Sequence, residues 1–214
     1  GAEAEGLVTF KASYETQTKT VLNGLTPYWI PGDKITVFDG QNNEFTAELS
    51  EMSQTAVFKG RLAGQGRQHY LAVSPYNADY TFYMLGKTAY GLVLPQEQVA
   101  VENSYDPSAL ISLAYTTDNT LNFKNLGSLI KFDVISDGVT SVTIRSNEDD
   151  KLSGNYFARY DDPIAINIKE GVNEVTLKGD FKKGSTYYIV TLPATLEKGF
   201  IVLLNGSVKA LSID

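Results

Sequence analysis

Residues 19–38, KTVLNGLTPYWIPGDKITVF, join an apolar, Trp-containing approach to a Gly-Asp corner and then to an alternating segment. In Trp29-Ile30-Pro31-Gly32-Asp33, Pro31 fixes φ, Gly32 tolerates positive φ and Asp33 can accept backbone hydrogen bonds, so the stretch reads as a turn. Ile35 and Val37 then point to one face of a strand. Trp29, the sole tryptophan, sits just before the corner, where its ring can cover one end of a β-sandwich core.

On both sides of this corner the same period of two dominates the chain, and helical periodicity is almost absent. Val8, Phe10, Ala12 and Tyr14 alternate with Thr9, Lys11 and Ser13 in a first strand. The pattern recurs at Phe45, Ala47 and Leu49; at Tyr80, Phe82 and Met84; and, after residue 120, at Ile130, Phe132 and Val134, at Ile164, Ile166 and Ile168, and at Phe200, Val202 and Leu204. Asp39-Gly40, Asp137-Gly138, Glu170-Gly171, Lys183-Gly184 and Asn205-Gly206 read as the intervening turns. Short strands at such spacing imply an all-β protein of two β-sandwiches, and the polar stretch Thr116–Asn119 places the division between residues 1–117 and 118–214. Segment 106–114 stays open, because Pro107 can begin a short helix as readily as a strand.

Composition narrows the function. Hydrophobic residues make up 43% and charged residues 20%, as in a globular protein able to bury a core. A net charge of −7 with 18 Lys and Arg supplies no basic stripe for phosphates, so no nucleic acid is expected as a partner. There is no cysteine, hence no disulfide and no thiolate metal site, and no apolar run approaches the roughly 18 residues of a membrane helix.

Chemistry is sparse. His69 is the one histidine, GQGRQHY around it reads as a loop entering a strand, and no G-x-S-x-G elbow accompanies it. Asn147-Glu148-Asp149-Asp150 lacks the spaced pattern of a calcium loop and reads as a solvated turn. Gly64-Gln65-Gly66 lacks the third glycine and the helix that phosphate binding needs. No catalytic, cofactor-binding or metal-ligating residue is therefore expected, and no cofactor. Tyr76, Tyr80, Tyr83 and Tyr90 could stack on sugar rings, although tyrosines also suit half-buried strands.

Six short elements, in order, resemble the Bacteroidales fimbrillin family. They are Lys19-Thr20 with Leu22; Trp29, Gly32, Asp33, Ile35, Val37 and Phe38; Phe58-Lys59-Gly60; Tyr70 through Tyr76; Leu94-Pro95-Gln96-Glu97-Gln98; and Leu121 through Leu126. The resemblance implies two tandem transthyretin-like, Greek-key β-sandwiches. It also implies a non-enzymatic structural, anchoring or accessory component of a fimbria, acting in adhesion at the outer-membrane cell surface. Membrane contact would come only through a lipid anchor upstream of this sequence. Partners would be other fimbrial subunits, engaged by strand exchange, and host or bacterial surface glycans or proteins. By position, the displaceable assembly strand is residues 7–14, with Val8, Phe10, Ala12 and Tyr14 filling the core. Family maturation by cleavage after arginine has no match here, since the first arginine is Arg61; a protease acting near Lys11 or Lys19 would be needed. The alternative reading is a glycan-binding outer-membrane surface lipoprotein.

Overall fold

A computed structural model describes residues 6–15, 25–64, 68–78 and 83–209. Lys19, Thr20, Leu22, Gln65, Gly66, Tyr80 and Phe82, all used in the sequence reading, lie outside the described residues. Every regular element described is a strand. The first are β1 (Leu7–Tyr14), β2 (Lys34–Phe38), β3 (Asn42–Glu48), β4 (Thr55–Arg61) and β5 (Tyr70–Ser74). Then come β6 (Tyr83–Leu85), β7 (Thr88–Leu94), β8 (Glu97–Val99), β9 (Ser112–Thr116) and β10 (Thr120–Asn125). The remainder are β11 (Ser128–Asp133), β12 (Ser141–Ser146), β13 (Ser153–Arg159) and β14 (Ala165–Val172), followed by β15 (Glu174–Lys178), β16 (Thr186–Thr191), β17 (Phe200–Leu204) and β18 (Ser207–Lys209).

Seven of these close into a barrel in the order β1-β10-β9-β5-β2-β3-β4, with β4 returning to β1. Alternation sets its interior: Phe45 and Ala47 of β3 and Ala56 and Phe58 of β4 point inward, while Thr46 and Val57 between them face outward. Gly60 makes room for this packing, because a Cβ there would lie 2.8 Å from the Phe45 ring. Strands β2, β5 and β9 are buried on both faces, which is why KITVF, YLAVS and SLAYT read as nearly continuous apolar runs. Inside the barrel they present Ile35, Val37, Ala72 and Ala114. Outside it, Phe38, Leu71, Val73 and Leu113 join a second core with β7, β13 and β16. A third core lies between the sheet β18-β17-β12-β15-β8 and the pair β11-β16.

The expected division at 117/118 is corrected by the pairing. The polar stretch Thr116–Asn119 is a hairpin turn: the Thr116 hydroxyl donates to Asp118 Oδ1 at 2.8 Å, and the Thr120 N–H donates to the same oxygen at 2.8 Å. β10, expected to open the second domain, pairs instead with β9 and β1 of the barrel. Strands from residues 83–99 cross the other way, β7 onto β13 and β8 onto β15. The seven strands around the first core close into one sheet, and the two halves of the chain interleave. Glu170-Gly171, expected as a turn, lies within β14, where Gly171 faces Gly154. Segment 106–114 opens as a turn, the Ser108 N–H donating to Asp106 Oδ1 at 3.0 Å, before β9 begins.

The Trp corner forms as expected. Gly32 has φ 83°, the Ile30 N–H donates to Asp33 Oδ2 at 2.8 Å, and burial raises the Asp33 carboxyl above its ordinary pKa while that same N–H lowers it. Trp29 exchanges two main-chain hydrogen bonds with Ser53, at 2.7 and 2.9 Å, and is 1% exposed. Its ring stacks on Tyr14 at 4.4 Å and meets Phe58 and Phe123 edge-on at 4.9 and 5.4 Å. The indole N–H has no acceptor among the described residues, a cost of about 1–3 kcal/mol that the ring contacts must outweigh.

Gln98 joins the crossing segment to the C-terminal part. Its buried amide copies a neighbouring strand, Nε2 donating to the Val190 carbonyl at 2.7 Å and Oε1 accepting the Val190 N–H at 3.0 Å. Two mutants check these anchors by denaturant unfolding. Trp29→Ala should lose about 3–5 kcal/mol, as expected for emptying a large core site. Gln98→Leu should lose about 1–3 kcal/mol by leaving both main-chain groups of Val190 unpaired. Unfolding midpoints equal to wild type would show either side chain to be dispensable.

Candidate functional site

The candidate site is β1 and the wall it completes. Antiparallel to β4, it makes seven register pairs, from Leu7↔Arg61 to Ser13↔Thr55. Parallel to β10, it makes four, from Lys11↔Thr120 to Tyr14↔Phe123, and the Glu15 N–H extends that ladder to the Phe123 carbonyl at 2.8 Å. Residues 7–10 therefore have register partners on β4 alone, while residues 11–13 are held from both sides. Parallel ladders are also slightly weaker per residue than antiparallel ones, which makes the β10 side the easier seam to part.

All four expected plugs lie on this strand, with unequal burial. Phe10 and Ala12 are fully enclosed, whereas Val8 and Tyr14 are half-buried by residue. Phe10 meets Phe45 and Tyr70 edge-on at 5.5 and 5.4 Å, and Tyr14 stacks on Trp29. Burial pushes the Tyr14 phenol well above its ordinary pKa, with the hydrogen bond to Ser74 pulling it back in part, so the hydroxyl stays neutral. Taking β1 away would uncover the rings of Trp29, Phe45, Phe58 and Phe123 and leave unpaired main-chain edges on β4 and β10. The site thus holds an extended segment, β1, by main-chain pairing on both sides and by apolar residues at alternate positions.

A second strand-shaped opening lies in the C-terminal part. Among the described residues β11 pairs only with β16, so five strands face two across the third core and leave the inner faces of β12 and β17 incompletely covered. The resulting groove, about 410 Å³, is lined by Ile130, Phe132, Val142, Ile144, Phe200 and Val202, and exposed Ile135 stands at its rim.

The remaining sequence candidates are dispersed. His69 is half-buried with its ring 5.7 Å from that of Tyr115. Glu148 of the acidic turn pairs with Lys198 at 2.8 Å, and the Asn147 amide donates to the Lys198 carbonyl. Of the tyrosines considered for sugar stacking, Tyr76 is half-buried beside β2 and Tyr90 stacks on Phe157 at 5.2 Å, with its face already occupied. Sequence reasoning missed Lys124, a charged side chain on β10 that is only 8% exposed. Periodicity gave no signal for it, since a lysine after Phe123 falls on the face expected to meet solvent.

No protein-family model matches the chain. No curated protein matches it. The chain is similar to the crystal structure of a candidate cell adhesion protein from Bacteroides ovatus ATCC 8483, at 12% identity and a TM-score of 0.47, over 94% of this chain and 83% of the other. A likeness of that depth decides neither family nor activity.

Proposed function

We propose that this chain is a non-enzymatic, fimbrillin-like cell-surface protein, a structural, anchoring or accessory component of a Bacteroidales fimbria that assembles by strand exchange and serves adhesion. In this reading the barrel and the C-terminal core stand for that family's two transthyretin-like units. The protein is exported, and an anchor upstream of this sequence holds it at the outer membrane. What carries the proposal is the placement of β1: the first strand described is also the one that closes the barrel, and four of its seven β4-paired residues lack a register partner on β10. A strand held on one side alone over half its length is the easier one to part from the wall. A neighbour's strand can then satisfy β4 and β10 by main-chain hydrogen bonds, with alternate side chains filling the pockets of Phe10 and Ala12. The six motif elements support the same reading independently of this geometry.

The test compares the intact chain with one beginning at Thr16. The intact protein should be monomeric by light scattering, and the trimmed protein should oligomerise or bind a synthetic peptide of residues 7–14. Phe10→Asp in the intact chain buries an unpaired carboxylate and should cost roughly 3 kcal/mol or more, loosening β1 and mimicking trimming. A trimmed protein that stays a stable monomer and ignores the peptide would rule out strand exchange.

A further inference from the structure

We propose that Lys124 is a latch coupling the seating of β1 to the connection between β13 and β14, so that loosening either loosens the other. Its Nζ donates to the Asp161 carbonyl oxygen at 2.9 Å, lies 4.8 Å from the centroid of the Tyr160 ring, and stands 3.8 Å from Glu15 Oε1. Glu15 directly follows β1. Tyr160 returns to the same strand as Lys124, its hydroxyl donating to the Asn122 carbonyl at 2.7 Å. One ammonium thus gathers the end of β1, the middle of the barrel wall and the turn after β13.

Burial separates this pair from the other ion pairs described. The Lys124 side chain is 10% exposed, whereas the cations of the other pairs are 40–70% exposed and are free to trade their partners for water. A lysine so enclosed needs a counter-charge. Among the described residues only Glu15 offers Lys124 a carboxylate within ion-pair distance; the Asp161 carboxylate pairs with Arg159 Nε at 2.7 Å. If Glu15 moves off with β1, a carbonyl and a ring face remain, and neither neutralises the ammonium. The lysine then gains by turning toward water, which gives up Asp161 and the Tyr160 ring together. Coupling of this kind is reciprocal by thermodynamic linkage, so a disturbance at Tyr160 also loosens β1.

Hydrogen exchange on the intact chain tests the latch without any strand leaving, so its outcome is separate from that of strand exchange. Glu15→Gln should speed exchange about 2–5-fold, the range for a partly exposed pair, in peptides covering 157–163 as well as β1, while β12 stays unchanged. Lys124→Met keeps the apolar stem and removes the charge. In that background Glu15→Gln should no longer affect residues 157–163. The proposal is overturned if Glu15→Gln leaves 157–163 unaltered, if it acts equally with and without the lysine, or if it speeds exchange uniformly through the chain.

Discussion

Closure of the barrel depends on β1 pairing in two directions at once, with β4 from Leu7 to Ser13 and with β10 from Lys11 to Tyr14. A closed sheet has no edge to expose, and here one strand at the start of the described chain removes both edges that would otherwise exist. The aromatic interior follows from the same strand. Phe10 is wedged between Phe45 and Tyr70, and Tyr14 lies flat against Trp29, so the rings that fill the barrel are locked by residues of the strand that closes it. The wall opposite is held from outside as well. Phe38, Leu71, Val73 and Leu113 are gripped by the second core, which draws on β7, β13 and β16. Opening the seam at β1 therefore leaves β2, β5 and β9 clamped on their outer face, a physical basis for a barrel that could exchange one strand without losing the rest.

The strand character of the chain was legible because half-buried strands write their burial into alternate residues, as at Phe45 and Ala47 or at Val8, Phe10 and Ala12. The corner at Trp29 was legible because its chemistry is local: Gly32 must take positive φ, and Asp33 bonds a neighbour three residues away. The division of the chain was not. Thr116–Asn119 has the composition of a linker, but Asp118 turns it into a hairpin, and composition cannot distinguish a polar turn within a sheet from one between domains. Nor could any local pattern announce that Leu94 would face Gly154 or that Gln98 would pair with Val190, 92 residues away, since those contacts are fixed by packing of the whole.

The candidate site was legible only in part and by the same logic. The alternation in LVTFKASY marks an apolar face, yet which strands flank it, and with what polarity, is a property of the assembled barrel. Lys124 illustrates the limit. Its residue type says surface and its place after Phe123 says outward; only the arrival of the turn after β13 buries it against Tyr160 and Asp161.

Whether β1 is a separable strand whose place another strand can take is read from the fluorescence of Trp29, the sole tryptophan and a direct neighbour of Tyr14. In a chain beginning at Thr16, emission should shift to longer wavelength as the indole meets water. It should return to the intact value when a peptide of residues 7–14 is added, but not when that peptide carries Phe10→Asp. An emission maximum that matches the intact protein and ignores both peptides would mean that the barrel closes without β1 and that the strand is not exchanged.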